Sequence, residues 1–101
     1  MDEVTIKELW YDDAPDEIVS VLRKLDERSE KIVEELDYLA YAMADSVMKD
    51  SDYCKGRDRG NLYGYIRALY HVGLLTREER KALQSYTCTK IYHYYEGHKG
   101  A

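Results

Sequence analysis

The stretch that decides the fold runs from residue 15 to residue 49 and reads PDEIVSVLRKLDERSEKIVEELDYLAYAMADSVMK. Apolar residues recur in it at alternating steps of four and three, which is the spacing of one face of an α-helix. These positions are Ile18, Leu22, Leu25, Ile32, Leu36, Leu39 and Met43, with Ser29 as a polar interruption. Pro15 suits the first turn of a helix, and the acidic pair after it favours the positive end of the helix dipole. The spacing therefore predicts one long helix over about residues 15–49.

The residues that flank this seam are also mostly apolar, namely Val19, Val21, Val33, Ala40 and Ala42. A two-stranded coiled coil usually carries charged residues at such positions. A wider apolar stripe indicates burial between several helices, so we expect a small all-α bundle. A helix of this length is about 50 Å long and exceeds what a short second helix covers. Either a third helix or a second copy of the chain runs alongside it, and the choice between monomer and homodimer stays open.

The second half of the chain is predicted to form a loop and an αα-hairpin. Residues 49–60 (KDSDYCKGRDRG) combine two glycines with dense charge, which is typical of a loop. The hairpin is expected over about residues 61–95. Gly73 suits the left-handed position that ends its first helix, and Thr76 with Glu79 fits a capping box at the start of the next.

An α+β alternative remains at the two ends of this single domain of residues 1–101. Residues 86–94 are rich in threonine and tyrosine, which favour strands as readily as helices. In this alternative they pair with a short strand over residues 4–9. Residues 1–13 are otherwise an acidic lead-in, and residues 97–101 a flexible tail.

Composition excludes several classes of protein. The chain has 101 residues and a formal net charge of −5. It contains no run of 18 apolar residues, so the sequence predicts no membrane-spanning helix. The N-terminus is acidic and polar, so we expect no signal peptide and a cytoplasmic protein. The charge is asymmetric, because residues 1–53 carry 6 basic and 16 acidic side chains whereas residues 54–101 carry 9 and 4.

No motif indicates catalysis or a cofactor. Cys54, Cys88, His93 and His98 have the right atoms for a zinc site, but the paired Cys-x-x-Cys spacing that pre-forms such sites is missing. We therefore expect free thiols in a reducing compartment, no metal and no catalytic residues. The protein is predicted not to be an enzyme.

An acidic stripe with two tyrosines is the first candidate binding site. Its members share one face of the long helix at steps of three and four, and they are Glu34, Asp37, Tyr38, Tyr41 and Asp45. Exposed tyrosines are typical of interfaces, and carboxylates steer a protein toward positive potential. Either another element of the fold covers the two tyrosines or they meet a partner. In the second case we expect this stripe to bind a protein with a basic surface.

A basic segment with tyrosines is the second candidate. It comprises Lys55, Arg57, Arg59, Tyr63 and Arg67, close to the expected start of a helix. Basic side chains and helix N-termini bind phosphates, and aromatic rings stack on single-stranded bases. The segment would bind nucleic acid or another anion, unless it is a solvated loop that balances the acidic half.

These patterns favour a non-enzymatic helical protein that binds a macromolecule. In general style the chain is similar to small helical proteins of phages and mobile elements, anti-CRISPR proteins among them, although no motif is shared. That likeness implies an inhibitor whose acidic helix occupies a basic surface that normally holds nucleic acid. The second interpretation is a nucleic-acid-binding regulator that uses the basic C-terminal half.

Overall fold

The computed structural model describes residues 14–49 and 51–92, which form four α-helices and a final π-helical segment. The helices are α1 (Asp16–Arg28), α2 (Glu30–Met48), α3 (Asp52–His71) and α4 (Arg77–Tyr86), and the π-helical segment is Thr87–Tyr92. No strand occurs within these described ranges, so the prediction of a small all-α bundle is confirmed. The predicted lead-in (1–13) and tail (97–101) lie outside them.

The helices form a closed ring around one core. α2 and α3 pack along each other, α4 contacts α3, and α1 contacts both α2 and α4. The largest fully buried apolar side chains are Leu22, Leu25, Leu36, Met43, Val47, Leu62, Ile66 and Leu83. Of the apolar residues that flank the seam, Val21, Val33 and Ala40 are buried, whereas Val19 and Ala42 are only partly buried. Among the described residues, no helix has the length and hydropathy needed to cross a membrane.

The predicted continuous helix over residues 15–49 is wrong at one point, because the chain leaves helical geometry at Ser29. This residue has φ −168° and ψ 125°, an extended conformation that ends α1 and precedes α2. Its backbone still bonds on both sides, donating to the Leu25 oxygen (3.0 Å) and accepting from the Ile32 nitrogen (3.1 Å). Serine is a weak helix former that favours helix boundaries. The break allows α1 to pack against α2.

The predicted basic loop over residues 49–60 is also wrong, because α3 begins at Asp52 and continues to His71. Ser51 caps its N-terminus, where the side-chain oxygen accepts from the Cys54 backbone nitrogen at 3.3 Å. The buried residues of α3 recur at helical spacing, namely Lys55, Asp58, Leu62, Ile66 and Leu69. The first two are charged, so the sequence conceals the helical stripe at the point where it begins.

The turn of the hairpin follows the sequence closely. Gly73 has φ 85°, its nitrogen donates to the Tyr70 oxygen (3.0 Å), and the Leu74 nitrogen donates to the Leu69 oxygen (2.9 Å). These two bonds are those of a Schellman motif, which ends a helix with a left-handed residue. The predicted αα-hairpin is therefore confirmed, with a first helix that starts earlier than residue 61.

A capping box starts α4 and also links it to α1. The Thr76 side chain accepts from the Glu79 nitrogen (3.1 Å), and Glu79 Oε1 accepts from the Thr76 nitrogen (2.8 Å). The same Oε1 lies 2.5 Å from Lys24 Nζ on α1. One carboxylate thus serves a local cap and a tertiary ion pair.

The alternative strand over residues 86–94 is not supported, because the chain stays helical through Tyr86 and on to Tyr92. Thr87 is fully buried, and its hydroxyl donates to the Gln84 backbone oxygen at 2.8 Å. Threonine satisfies its hydroxyl on the preceding helical turn in this way, so a residue with strand preference is accommodated in a helix. The proposed pairing segment, residues 4–9, lies outside the described residues.

Candidate partner-binding surfaces

The outer face of α2 carries most of the residues predicted to bind a protein. Tyr38 projects from it with 66% of its surface exposed, and Glu34, one turn earlier, is also exposed. Tyr41 packs partly against the core, and Asp45 keeps 43% of its side chain exposed. We call Glu34, Tyr38, Tyr41 and Asp45 the acidic tyrosine face.

Asp37 does not share this face, contrary to the prediction. It is 6% exposed and has interactions of its own. Val33 and Ala40, one turn before and after it, are both buried, so Asp37 lies at the edge where α2 turns toward the core. Helical spacing places Asp37 at the boundary between the exposed and the buried face of α2, so spacing alone does not predict that it is buried.

An ion pair at the end of the acidic tyrosine face shields one of its carboxylates. Lys49 Nζ lies 2.9 Å from Asp45 Oδ2, one turn along the chain. The hydrogen bond to Asp45 raises the pKa of the Lys49 ammonium, and the charge of the same carboxylate adds to this effect. Because both groups are largely exposed, solvent screens the pair and it can exchange for another contact.

A buried polar cluster joins α2 to α3. The Ser46 hydroxyl donates to Asp58 Oδ2, and Arg57 Nε donates to Asp58 Oδ1 at 3.1 Å. Burial alone would raise the pKa of the Asp58 carboxyl, but the hydrogen bonds from Arg57 and Ser46 and the guanidinium charge lower it overall. Asp58 is therefore an ionised interior group with defined donors, and it faces away from any external ligand.

Two members of the predicted anion site are largely or partly buried and have partners within the chain. Lys55 is 9% exposed, and its Nζ lies 3.3 Å from Asp52 Oδ1. Tyr63 is half-buried, and burial followed by a hydrogen bond and charge interaction with Cys88 raises its pKa to about 12. The structure therefore does not present either side chain as a free phosphate or base contact.

The outer face of α3 collects a different set of residues from those predicted. Exposed residues follow one another at steps of four and three, and they are Tyr53, Arg57, Gly60, Gly64, Arg67 and His71. We call them the arginine–glycine face. Such spacing places all six along one line of a helix.

Local contacts orient the side chains at both ends of the arginine–glycine face. The Arg57 guanidinium lies 5.9 Å from the centre of the Tyr53 ring, which is 78% exposed. At the other end, Arg67 Nε donates to His71 Nε2 at 3.4 Å. Arg59 is exposed but lies two residues from Arg57, hence on another side of α3, and has interactions of its own. The predicted basic group is thus divided between surfaces.

The prediction missed Tyr53, Gly60, Gly64 and His71 as surface residues of one helix face. Their spacing is visible in the sequence, but it has meaning only if residues 49–60 are helical. Because residues 49–60 were predicted to form a loop, the helical spacing of these surface residues was not recognised. An earlier signal was the helix cap at Ser51, two residues before Tyr53.

Groups that could carry chemistry are dispersed over the described residues. Among them, no cluster of three histidine, cysteine or acidic side chains could hold a metal ion, and both cysteines are free thiols. An open pocket of about 300 Å³ lies between α1 and α4, lined by Pro15, Glu17, Ile18, Ala82, Ser85, Tyr86 and Thr89. Glu17 is the one ionisable acid or base of that lining apart from the Tyr86 phenol. His93 and His98, which were considered as zinc ligands and not expected to bind the metal, lie outside the described residues.

Comparisons with known protein families, with curated protein sequences and with solved structures find no match to this chain.

Proposed function

We propose that the protein is a non-enzymatic binder that engages a basic protein surface through the acidic tyrosine face of α2. The observation that carries this proposal is Tyr38, an aromatic side chain left 66% exposed on a folded bundle. Glu34 lies one turn before it and Tyr41 follows by three residues, so the ring is part of a continuous surface.

Physical chemistry assigns different roles to the aromatic and acidic side chains. A tyrosine ring gives a large contact area and loses few rotamers on binding, which is why tyrosine is frequent among interface hot spots. Carboxylates chiefly raise the rate of encounter with a positive surface. The first 53 residues carry 16 acidic and 6 basic side chains, so the long-range field favours the same kind of partner.

The target most consistent with this field is a protein surface that normally holds nucleic acid. Such surfaces are lined with arginine and lysine, and an acidic helix presents carboxylates where phosphates would otherwise lie. The protein would then act in the cytoplasm as an inhibitor of the anti-CRISPR type found in phages and mobile elements.

Capture of partners from host lysate, with and without nuclease, tests this proposal. Tyr38→Ala should weaken binding to the captured protein by about 2 kcal/mol, as expected for a hot-spot residue. Tyr53→Ala is the matched control, because Tyr53 is 78% exposed on α3 instead of α2. Equal loss for both variants, or capture that nuclease abolishes, would contradict the proposal.

A nucleic-acid-binding regulator is the second candidate, and the arginine–glycine face supports it. Arg57 and Arg67 are exposed on the same side of α3 as Tyr53, whose ring could stack on an unpaired base. Anisotropy with a labelled single-stranded oligonucleotide over a salt series tests it. Binding that falls with salt and is lost in Arg57→Glu with Arg67→Glu would favour this candidate.

A further inference from the structure

The two outer faces of α2 and α3 have opposite charge at matching positions. Glu34 and Asp45 stand eleven residues apart, or about 16 Å along a helix axis. Arg57 and Arg67 stand ten residues apart, or about 15 Å. The two carboxylates of one face can therefore meet the two guanidinium groups of the other at the same time. The two charges on each face have the same sign, so the match holds for parallel and for antiparallel helices.

The residues between the charges are complementary in shape. Tyr38 and Tyr41 lie between the carboxylates, whereas Gly60 and Gly64 lie between the arginines. A Cβ atom added at either glycine would meet no atom of the described residues within 4 Å, so packing among those residues does not require glycine there. Glycine is also a poor helix former. The smooth surface between two arginines is suited to receive the protruding Tyr38 ring of another molecule.

We propose that the acidic tyrosine face of one copy docks on the arginine–glycine face of a second copy of this chain. This inference rests on the proposed function in using the same α2 surface, and it names a partner for that surface. Charge complementarity selects the pairing, because contact between two α3 faces would oppose arginines and contact between two α2 faces would oppose carboxylates. Each copy carries both faces, so a two-fold symmetric dimer contains the contact between an α2 face and an α3 face twice.

The charged groups keep enough exposure to make an additional contact. The side chain of Arg57 is 52% exposed although it pairs with Asp58, and that of Asp45 is 43% exposed although it pairs with Lys49. Even two contacts of about three helical turns each make an interface at the small end of those found in stable dimers. Self-association is therefore weak, rises with protein concentration and falls with added salt.

Sedimentation velocity over a concentration series tests the contact between the faces. The wild type should associate, and Gly60→Leu with Gly64→Leu should weaken association at least tenfold. The same variant should melt no lower than the wild type, because leucine is a better helix former than glycine and its Cβ has room among the described residues. Ser20→Leu, at an exposed position of α1 that belongs to neither face, is the control and should associate normally.

A charge exchange gives the sharper test. The variant Glu34→Arg with Asp45→Arg should be monomeric alone, and so should Arg57→Glu with Arg67→Glu. A mixture of the two should associate again, since each supplies the face that the other lacks. This recovery cannot arise from a general loss of folding.

A wild type that stays monomeric at millimolar concentration overturns the inference, as does an exchange mixture that fails to associate. Association that nuclease removes also overturns it and points to nucleic acid on α3. A different result would refute the proposed function, namely that Tyr38→Ala leaves capture of the basic protein unchanged. A monomeric wild type whose capture depends on Tyr38 refutes self-association and supports the proposed function.

Discussion

α1 and the first half of α3 are built in opposite ways. Every buried residue of α1 is apolar, and its charged residues face solvent. In α3 the first two buried positions are Lys55 and Asp58, whereas Gly56 and Gly60 lie on the exposed side. The difference shows that a helix can be held by polar contacts of its inner side, provided that buried charges find partners. It also shows why only one of the two helices is evident from sequence.

The largest expected effect is on the apolar core that α1 supplies. Leu25 is 1% exposed, so Leu25→Asp would place an unpaired charge in the core and lower the free energy of unfolding by about 4 kcal/mol. Urea denaturation followed by circular dichroism measures this. Ser20→Asp, exposed on the same helix, should change the stability by less than about 0.5 kcal/mol. Tolerance of Leu25→Asp would refute the assigned core.

The next effect concerns the polar cluster that holds the first half of α3. Asp58→Ala removes the acceptor of the Ser46 hydroxyl and should cost about 2 kcal/mol in urea denaturation. Because the pKa of Asp58 is lowered in the fold, its contribution is present above the unfolded pKa of about 4 and is lost as the pH falls below it. The exposed Asp26→Ala is the control.

If Asp58→Ala were as mild as that control, the cluster would not be what holds α3 to α2. Replacing both partners, as in Ser46→Ala with Asp58→Leu, should recover part of the loss, since no buried hydroxyl would remain without a partner. The acid side of the stability profile should then be flatter than in the wild type.

A smaller and opposite effect is expected on the outer side of α3. Gly64→Ala should raise the free energy of unfolding by up to about 1 kcal/mol, because alanine is the better helix former and its Cβ meets open space. Thermal denaturation at low protein concentration measures the monomer alone. Gly73→Ala is the contrasting variant and should destabilise, because Gly73 has φ 85°.

The smallest effect is confined to alkaline solution and concerns Tyr63, which contacts the π-helical segment through Cys88. Burial, then the Cys88 interaction, raises its pKa to about 12. The neutral phenol therefore contributes stability below the unfolded pKa of about 10, and this is lost as the pH rises through the folded value. Tyr63→Phe should remove the last step of the tyrosinate absorbance titration. Loss of amplitude near pH 10 instead of at the last step would show that Tyr63 ionises like an exposed tyrosine.

Local signals were predictable from the sequence, and tertiary ones were not. Gly73 and the Thr76–Glu79 box act through bonds within a few residues, so their motifs identify the hairpin turn without knowledge of the fold. The break at Ser29 leaves the apolar spacing intact on both sides, so periodicity cannot detect it. The apolar face of α2 was likewise evident from its repeating pattern.

The candidate surfaces show the same division. Tyr38 lies opposite the buried side of α2, and helical spacing alone places it outside. Asp37 lies at the boundary, where the neighbouring helix determines whether a carboxylate faces inward. The burial of Lys55 can be predicted only if α3 is known to begin at Asp52, because Lys55 then lies on the same inner side of the helix as Leu62.

The carboxylate of Glu79 has a consequence for the order in which the bundle assembles. Its bond with the Thr76 nitrogen is local, so it can form as soon as α4 begins to fold. Lys24 reaches the same oxygen only when α1 docks. The Glu79 side chain is then already ordered. Docking of α1 therefore costs less side-chain entropy than if both Lys24 and Glu79 were free beforehand. Weakening the local box with Thr76→Ala should therefore slow the docking step as well as fray α4.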